Sequence, residues 1–342
     1  MSVWGSRLIW GSSVHIYNDI FFCLVPISSV ALSMSCLSSI FLVVAWCVHG
    51  LYLYLFPYRI FNMDTTDINQ LSVLDMEQDG HTAILWLNRP EARNAMAPRF
   101  FEELPLVMKR ISSDEEVRVV IIAARGEHFS VGLDLKAAAS GGLMNMPSSN
   151  TSMAGRATTT REAILRLQHS ITSVAECPKP VIAVIHGYCI GGGLDLACAC
   201  DIRIASENSI ISLRETRMAM VADLGSIQRL PYIIGKGHLA EMAFTGEDIV
   251  ASRAKEIGLV NDVYPDKEDA LSAARELADR IAANSPLAVQ GAKAVMSRHE
   301  SSYIAEGLEY VATWNAGFLA SNDLVEAMAA FIEKRDAHFT GS

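Results

Sequence analysis

The sequence predicts an α/β fold that ends in a helical stretch, and three observations carry that reading. Two short runs, 117–124 (VRVVIIAA) and 180–185 (PVIAVI), are apolar almost without interruption, as strands buried on both faces of a parallel sheet are. Each leads into a glycine-bearing loop, and the second of these loops opens a helix. Beyond Ser252 the apolar residues return at helical spacing.

Taken in order, residues 73–77 and 82–87 are β-rich runs split by Asp79-Gly80, which reads as a hairpin. Asn88-Arg89-Pro90 ends the second strand, and a helix runs from Ala97 or Pro98 to Ile111, with proline in its first turn. After the strand at 117–124, residues 137–160 read as a loop and 161–175 as a helix. The strand at 180–185 is followed by a helix over 191–200 that leaves a glycine turn, then by a strand over 201–205. Strand, loop, helix, strand is thus the repeated unit. Helices follow at 253–257, 267–283, 286–297, 303–320 and 324–337, the last with Asp323 and Glu326 as a capping box.

The mean hydropathy of +0.24 is an average over two unlike pieces. Arg7, Asp19 and Arg59 are the only Asp, Glu, Lys or Arg in residues 1–62, so 20–58 is an uncharged apolar run. Such a run is long enough to cross a bilayer, which takes about 20 residues, although Pro26 and a series of serines interrupt it. It reads either as a signal anchor or as upstream sequence before a cytoplasmic chain that starts at Met63, and the second reading is preferred. The expected organisation is therefore an apolar extension (1–62), an α/β core (63–265) and a helical region (266–342).

The part from Met63 on carries a net charge of −11, against −10 for the whole chain, and this argues against nucleic acid as a partner, because phosphates are neutralised by clustered Lys and Arg. Cys177, Cys189, Cys198 and Cys200 form no CxxC pair, which points to a reducing compartment rather than a disulfide framework. No HExxH motif or His/Cys cluster has zinc spacing, so no metal is expected.

The chemistry lies in the two glycine loops, HFSVGLDLK (128–136) and HGYCIGGGLD (186–195). Neither has the spacing of a dinucleotide or P-loop motif, and there is no GxSxG elbow. Gly191, Gly192 and Gly193 open a helix, where backbone N–H groups without side chains can approach a ligand. With one N–H from the first loop they could hold a developing enolate, each donor contributing about 3–4 kcal/mol. Tight helix–strand packing is the plainer explanation of the same glycines.

The ordered set LNRPEARNAM (87–96), FSVGLDLK (129–136), CPKPVIAVIHGYCIGGGLDLACACDIRIAS (177–206) and LGSIQRLPYIIGKG (224–237) resembles the enoyl-CoA hydratase/isomerase (crotonase) family, from about Val73 to Gly341. The resemblance implies a crotonase-like spiral of ββα units with a C-terminal helical trimerisation region, hence a homotrimer or hexamer. It implies an acyl-CoA substrate and no cofactor, since coenzyme A belongs to the substrate. By the same resemblance Leu133 and Gly192 supply the oxyanion-hole N–H groups. Arg93, Ser130, Val131, Gly132, Leu133, Asp134, Gly191 and Gly192 would line the CoA and thioester site.

Hydratases of the family work with two Glu, at the positions held here by Asp195 and Glu215. Aspartate at the first shortens the reach by a methylene, and water activation needs placement within about 3 Å. A further carboxylate, Asp223, stands where hydratases typically have Gly. The trio Asp195, Glu215 and Asp223 resembles the branch that converts 3,5-dienoyl-CoA to 2,4-dienoyl-CoA in fatty-acid β-oxidation. That reaction moves a proton from carbon 2 to carbon 6, too far for one short side chain. The resemblance gives carbon 2 to Glu215, carbon 6 to Asp223 and an electrostatic role to Asp195, with raised proton affinities in all three. Two alternatives stand beside it: a 2-enoyl-CoA hydratase, and a catalytically silent, membrane-tethered acyl-CoA-binding protein.

Taken singly, each carboxylate has an ordinary explanation. Asp195 could serve the helix dipole, Asp223 could cap a short helix at 224–229, and Glu215 could be a solvated partner of nearby Arg217. His128, Lys136, Lys334 and Arg335 read as solvent-facing, Cys189, Cys198 and Cys200 as small buried residues, and Tyr188 as packing beneath the glycine turn.

Overall fold

The two apolar runs are neighbouring strands at the centre of a six-stranded sheet. Its order is β1 (Leu74–Asp79), β2 (Thr82–Leu87), β3 (Val119–Ala124), β4 (Val181–Ile185), β6 (Ile202–Ser206) and β9 (Asp262–Tyr264). A smaller sheet joins β5 (Tyr188–Ile190), β7 (Ile210–Ser212) and β8 (Asp248–Val250). The computed structural model describes residues 71–139 and 151–342. The apolar extension 1–62, with its two readings, and residues 140–150 of the expected loop lie outside the described residues.

β1 and β2 form the expected hairpin, with Gly80 at positive φ in the turn, and every other pairing in the large sheet is parallel. Every residue of β2, β3 and β4 is buried. Alternation splits their side chains between two cores. Leu85, Leu87, Val120, Ile122, Ala183 and Ile185 join one cluster with residues of α1 (Pro98–Ser113), α3 (Met153–Ala175) and α4 (Gly192–Ala199). Ile84, Trp86, Ile121, Ile182 and Ile204 face the other way, onto α8 (Lys267–Ala282). That helix presents Ala270, Ala274, Ala278 and Ala282, a stripe of methyls four residues apart that lets its backbone close onto the strands. It forms the second layer of the sheet although it starts the stretch read as the helical region.

The remaining helices are α2 (Leu135–Ala139), α5 (Ser226–Ile233), α6 (Gly235–Thr245), α7 (Ala251–Glu256), α9 (Pro286–Ser297), α10 (Ser301–Phe318) and α11 (Asn322–Glu333). α10 lies along α3: Ile164, Ala312 and Leu319 share a buried cluster, and Gln168 Nε2 donates to Leu308 O at 3.0 Å.

Three expectations are corrected. The helix expected from 161 starts at Met153, where the Ser152 hydroxyl accepts the Gly155 N–H at 3.1 Å. Thr158 and Thr159 then turn their hydroxyls back onto the carbonyls of Ala154 and Gly155, so a run of poor helix formers stays helical. Asp223 does not cap α5, whose N-cap is Gly225. The last helix is capped by Ser321, which accepts the Leu324 N–H at 3.1 Å. Asp323 instead accepts the N–H groups of Thr340 and Gly341, and Glu326 accepts Arg335 and the N–H of His338.

Candidate active site

The first glycine loop runs as an extra strand between two partners. On one side the Ser130 N–H donates to Tyr188 O and Ser130 O accepts the Ile190 N–H, at 2.9 and 3.0 Å. On the other, the Met96 N–H donates to Gly132 O at 2.8 Å and Met96 O accepts the Asp134 N–H at 3.1 Å. In this parallel pattern the groups of Gly132 and Asp134 turn toward Met96, so the N–H of Leu133 turns the opposite way. It has no acceptor among the described residues.

The loop faces the start of α4. The first rung of that helix runs from the Asp195 N–H to Gly191 O, which leaves the N–H of Gly192 ahead of the ladder. Glycine is required for the approach. A Cβ on Gly193 would stand 2.8 Å from Ser130 O, and one on Gly132 (φ +82°) 2.7 Å from Ile190 O. Leu133 N lies 3.7 Å from where a Cβ of Gly192 would stand, so the structure brings both expected donors to one place.

The sequence NRPEARN braces this loop from outside. Arg93 and Asn94 both adopt positive φ, and the buried Asn94 amide donates to Arg125 O and His128 O. The Ser130 hydroxyl donates to Asn94 O at 2.8 Å, and the Val131 N–H to Arg93 O at 3.3 Å. Arg89 pairs with Asp134 at 2.7 Å. Burial opposes ionisation of Asp134, but the Ala137 N–H and Arg89 prevail and hold it below the usual carboxylate range. The Arg93 side chain itself is exposed at the rim.

Asp195, Glu215 and Asp223 lie close enough together for their charges to act on one another. Asp195, in the first turn of α4, is 1% exposed, and its Oδ1 accepts the Ser226 N–H at 2.6 Å. Burial raises its pKa to about 6, against the pull of Ser226 and of buried Arg229. Glu215 opens a 3₁₀ turn (Glu215–Met218) after β7, and its Oε1 lies 3.2 Å from where a Cβ on Gly191 would sit. Some of the residue reaches the surface, yet Oε2 is sealed in without a hydrogen-bond partner. Burial, then the charges of Asp195 and Asp223, push its pKa well above the carboxylate range. The ordinary reading of Glu215 therefore fails, since Arg217 turns away to Thr245 O. Asp223, before α5, is raised to about 7 by burial and by Asp195, while Asn315 pulls it down. Burial raises all three, and the charge of Asp195 adds to the rise of Glu215 and of Asp223, so the three do not all ionise near neutrality.

Arg229 lies flat against Gly225, its Nη1 donating to Leu224 O and its Nη2 to the Thr172 hydroxyl. Ser226, Arg229, Gln168 and Asn315 were all missed by reading the sequence. Ser226 and Arg229 stand inside the motif LGSIQRLP, which could have flagged them; nothing in the sequence marks Asn315. A cavity of about 240 Å³ adjoins the site, lined by Thr216, Met220, Val221, Trp314, Asn315 and Phe318. A larger one, about 520 Å³, lies at His128, His186, Tyr188 and Lys267 and touches none of the carboxylates. Among the described residues, no cluster of His, Cys, Asp and Glu is arranged to hold a metal ion.

The chain is similar to curated and solved proteins over most of its length. It is 40% identical to the peroxisomal Delta(3,5)-Delta(2,4)-dienoyl-CoA isomerase of Arabidopsis thaliana, over 79% of this chain and 96% of that protein. It is 40% identical to the mitochondrial protein of that name from Homo sapiens, over 75% and 77%. An enoyl-CoA hydratase structure from Bacillus anthracis superposes with a TM-score of 0.60 at 33% identity, covering 79% of this chain and all of that one. One from Mycobacterium avium subsp. paratuberculosis reaches a TM-score of 0.68 at 24% identity, a likeness of fold alone. The family profile for enoyl-CoA hydratase/isomerase matches residues 77–342, and with the crotonase-like α/β fold in place the chain belongs to that family.

Proposed function

We infer that the chain is an isomerase converting 3,5-dienoyl-CoA to 2,4-dienoyl-CoA thioesters in fatty-acid oxidation. Asp223 carries the reading: it is a second carboxyl of raised proton affinity beside Glu215, in a chain about 40% identical to proteins named for this reaction. Glu215 takes the proton from carbon 2, and the electrons pass to the thioester oxygen, held by the N–H groups of Leu133 and Gly192. They return through carbons 2 to 5 as Asp223 delivers a proton to carbon 6. The two carboxyls then exchange protonation states with solvent. Asp195 keeps both neighbours proton-hungry without touching the substrate.

Its enclosure supports this role over hydration. A hydratase needs that carboxylate to present a water within about 3 Å of the substrate, whereas Asp195 is engaged by Ser226 and sealed from solvent. Arg93, Ser130, Val131, Gly132, Asp134 and Gly191 would line the CoA side, and the enzyme would need no cofactor of its own. Incubation with 3,5-dienoyl-CoA and with 2-enoyl-CoA, followed by diene absorbance, tests the reading. Hydration of the second without a shift in the first would overturn it.

We further propose assembly as a trimer or hexamer. The support is a set of exposed apolar side chains on α10 and α11, among them Tyr310, Phe318, Phe331 and Ile332. Light scattering on the purified chain tests it. Among the described residues Cys177, Cys189, Cys198 and Cys200 are buried free thiols, which supports the proposal of a reducing compartment. We propose a compartment inside the cell, with the cytoplasm one candidate; the support is that relatives carry peroxisomal or mitochondrial names. No helix among the described residues is long and apolar enough to cross a membrane.

A further inference from the structure

Asp223 is gripped from two sides by amides that come from distant helices. Asn315, on α10 and 2% exposed, donates through Nδ2 to Asp223 Oδ2 at 2.7 Å and to Val221 O at 2.8 Å. Gln168, on α3 and 4% exposed, donates through Nε2 to Asp223 O at 2.7 Å and to Leu308 O at 3.0 Å. Both protons of the Asn315 amide are thus committed, one to the backbone and one to the carboxyl. Asn315 is the only side chain donating to this carboxyl among the described residues.

An amide, rather than a cation, suits an acid that must keep its proton near neutrality. A lysine or arginine at this distance would lower a carboxyl pKa by about 1–3 units. A neutral donor lowers it less and fixes which oxygen is occupied. The ionisable groups that face Asp223 are Glu215 from the 3₁₀ turn and Asp195 from α4. The neighbours from α3 and α10 are Gln168 and Asn315, neither of which titrates.

We propose that Asn315 is a positioning residue for the isomerisation, holding Oδ2 of Asp223 against Val221 so that Oδ1 serves as the proton donor to the far end of the diene. The proposal rests on the isomerase reading above. It also gives α10 a part in the chemistry of its own chain.

The test compares the full-length wild type with Asn315→Leu, which keeps the bulk and removes the donor, and with Asn315→Asp. Turnover of 3,5-dienoyl-CoA is read alongside the carbon-13 NMR titration of labelled aspartate carboxyls, with Asp223 assigned by its loss in Asp223→Asn. Asn315→Leu is expected to lower kcat about tenfold or more while KM stays within about twofold. Its Asp223 midpoint should rise by about half a unit or more, because a donor that favours the ionised form is gone. Asn315→Asp should retain most activity at low pH, where the new carboxyl is protonated and can donate, and lose it as pH rises. Should Asn315→Leu fail to fold, this pH dependence decides alone. A wild-type kcat and an unmoved midpoint in Asn315→Leu overturn the proposal, as does a loss of kcat with neither titration nor pH profile altered. A midpoint that moves in a protein whose wild type leaves 3,5-dienoyl-CoA unchanged keeps the grip on Asp223 and removes the isomerase reading.

Discussion

The backbone N–H of Ser226 donates to Asp195 Oδ1 at 2.6 Å, tying the first turn of α4 to the first turn of α5. Asparagine at position 195 keeps that acceptor and removes the charge. Since the Asp195 charge helps to raise Glu215 and Asp223, both should then give up their protons more readily. Asp195→Asn should shift the limbs of the kcat/KM profile to lower pH, by about one unit. An unshifted profile would remove Asp195 from the electrostatics of the site.

Asp223→Asn should remove the proton donor to carbon 6. The expected loss in kcat on 3,5-dienoyl-CoA is about 10²–10⁴-fold, with affinity for a CoA ester preserved in calorimetry. Full-speed turnover by this variant would rule out the mechanism.

The same variant should be the more heat-stable protein at alkaline pH. A carboxyl whose pKa is raised on folding favours the folded state while protonated, and that contribution is lost as pH rises through the folded value. For Asp223 the window runs upward from the ordinary carboxylate range to about 7. Melting curves should therefore show Asp223→Asn above wild type at pH 8 and converging with it at pH 4. A constant difference would mean that burial of the charge is not what Asp223 contributes.

Gly193→Ala tests the approach of the two loops without altering any ionisable group. The added methyl meets Ser130 O at 2.8 Å and Ser130 Cβ at 3.0 Å, so the loop carrying Leu133 must retreat. Overpacking of this kind costs about 1–3 kcal/mol, and loss of one enolate donor about 10²–10³ in kcat. Denaturation and steady-state kinetics on the purified variant check both. A wild-type kcat would separate the glycines from catalysis and leave them to packing.

Ala274→Leu supplies the contrast. Position 274 lies in the middle of the methyl stripe of α8, fully buried against Ile and Val of the sheet. Enlarging it should cost about 1–3 kcal/mol of stability while kcat/KM stays within about twofold. A large kinetic effect here would show that the sheet's second layer reaches the site.

Where the sequence was legible, local pattern and final environment agreed. β3 and β4 are apolar because both faces are covered, and their glycine loops were marked by residue type alone. β5, β7, β8 and β9 each span only three residues, too few for any periodicity, and they form through partners elsewhere in the chain. The carboxylates were found by position. Their environment was not, because it depends on residues such as Asn315, 92 positions from Asp223. Nothing in ATWNAG sets that asparagine apart from any polar residue on a helix.

Gly225 holds a φ of 126° and carries the guanidinium of Arg229 on its bare Cα. After the hydrogen bonds of Ser226, that cation also tempers the proton affinity of Asp195, and Asp195 in turn bears on Glu215 and Asp223. A residue with no side chain thus sits at the head of a chain of charge effects, although it titrates nothing itself. A methyl group there would displace the positive charge that Arg229 holds near Asp195. The acidity of the whole site would then be retuned by volume alone, and a survey of substitutions that tracked only ionisable residues would overlook it.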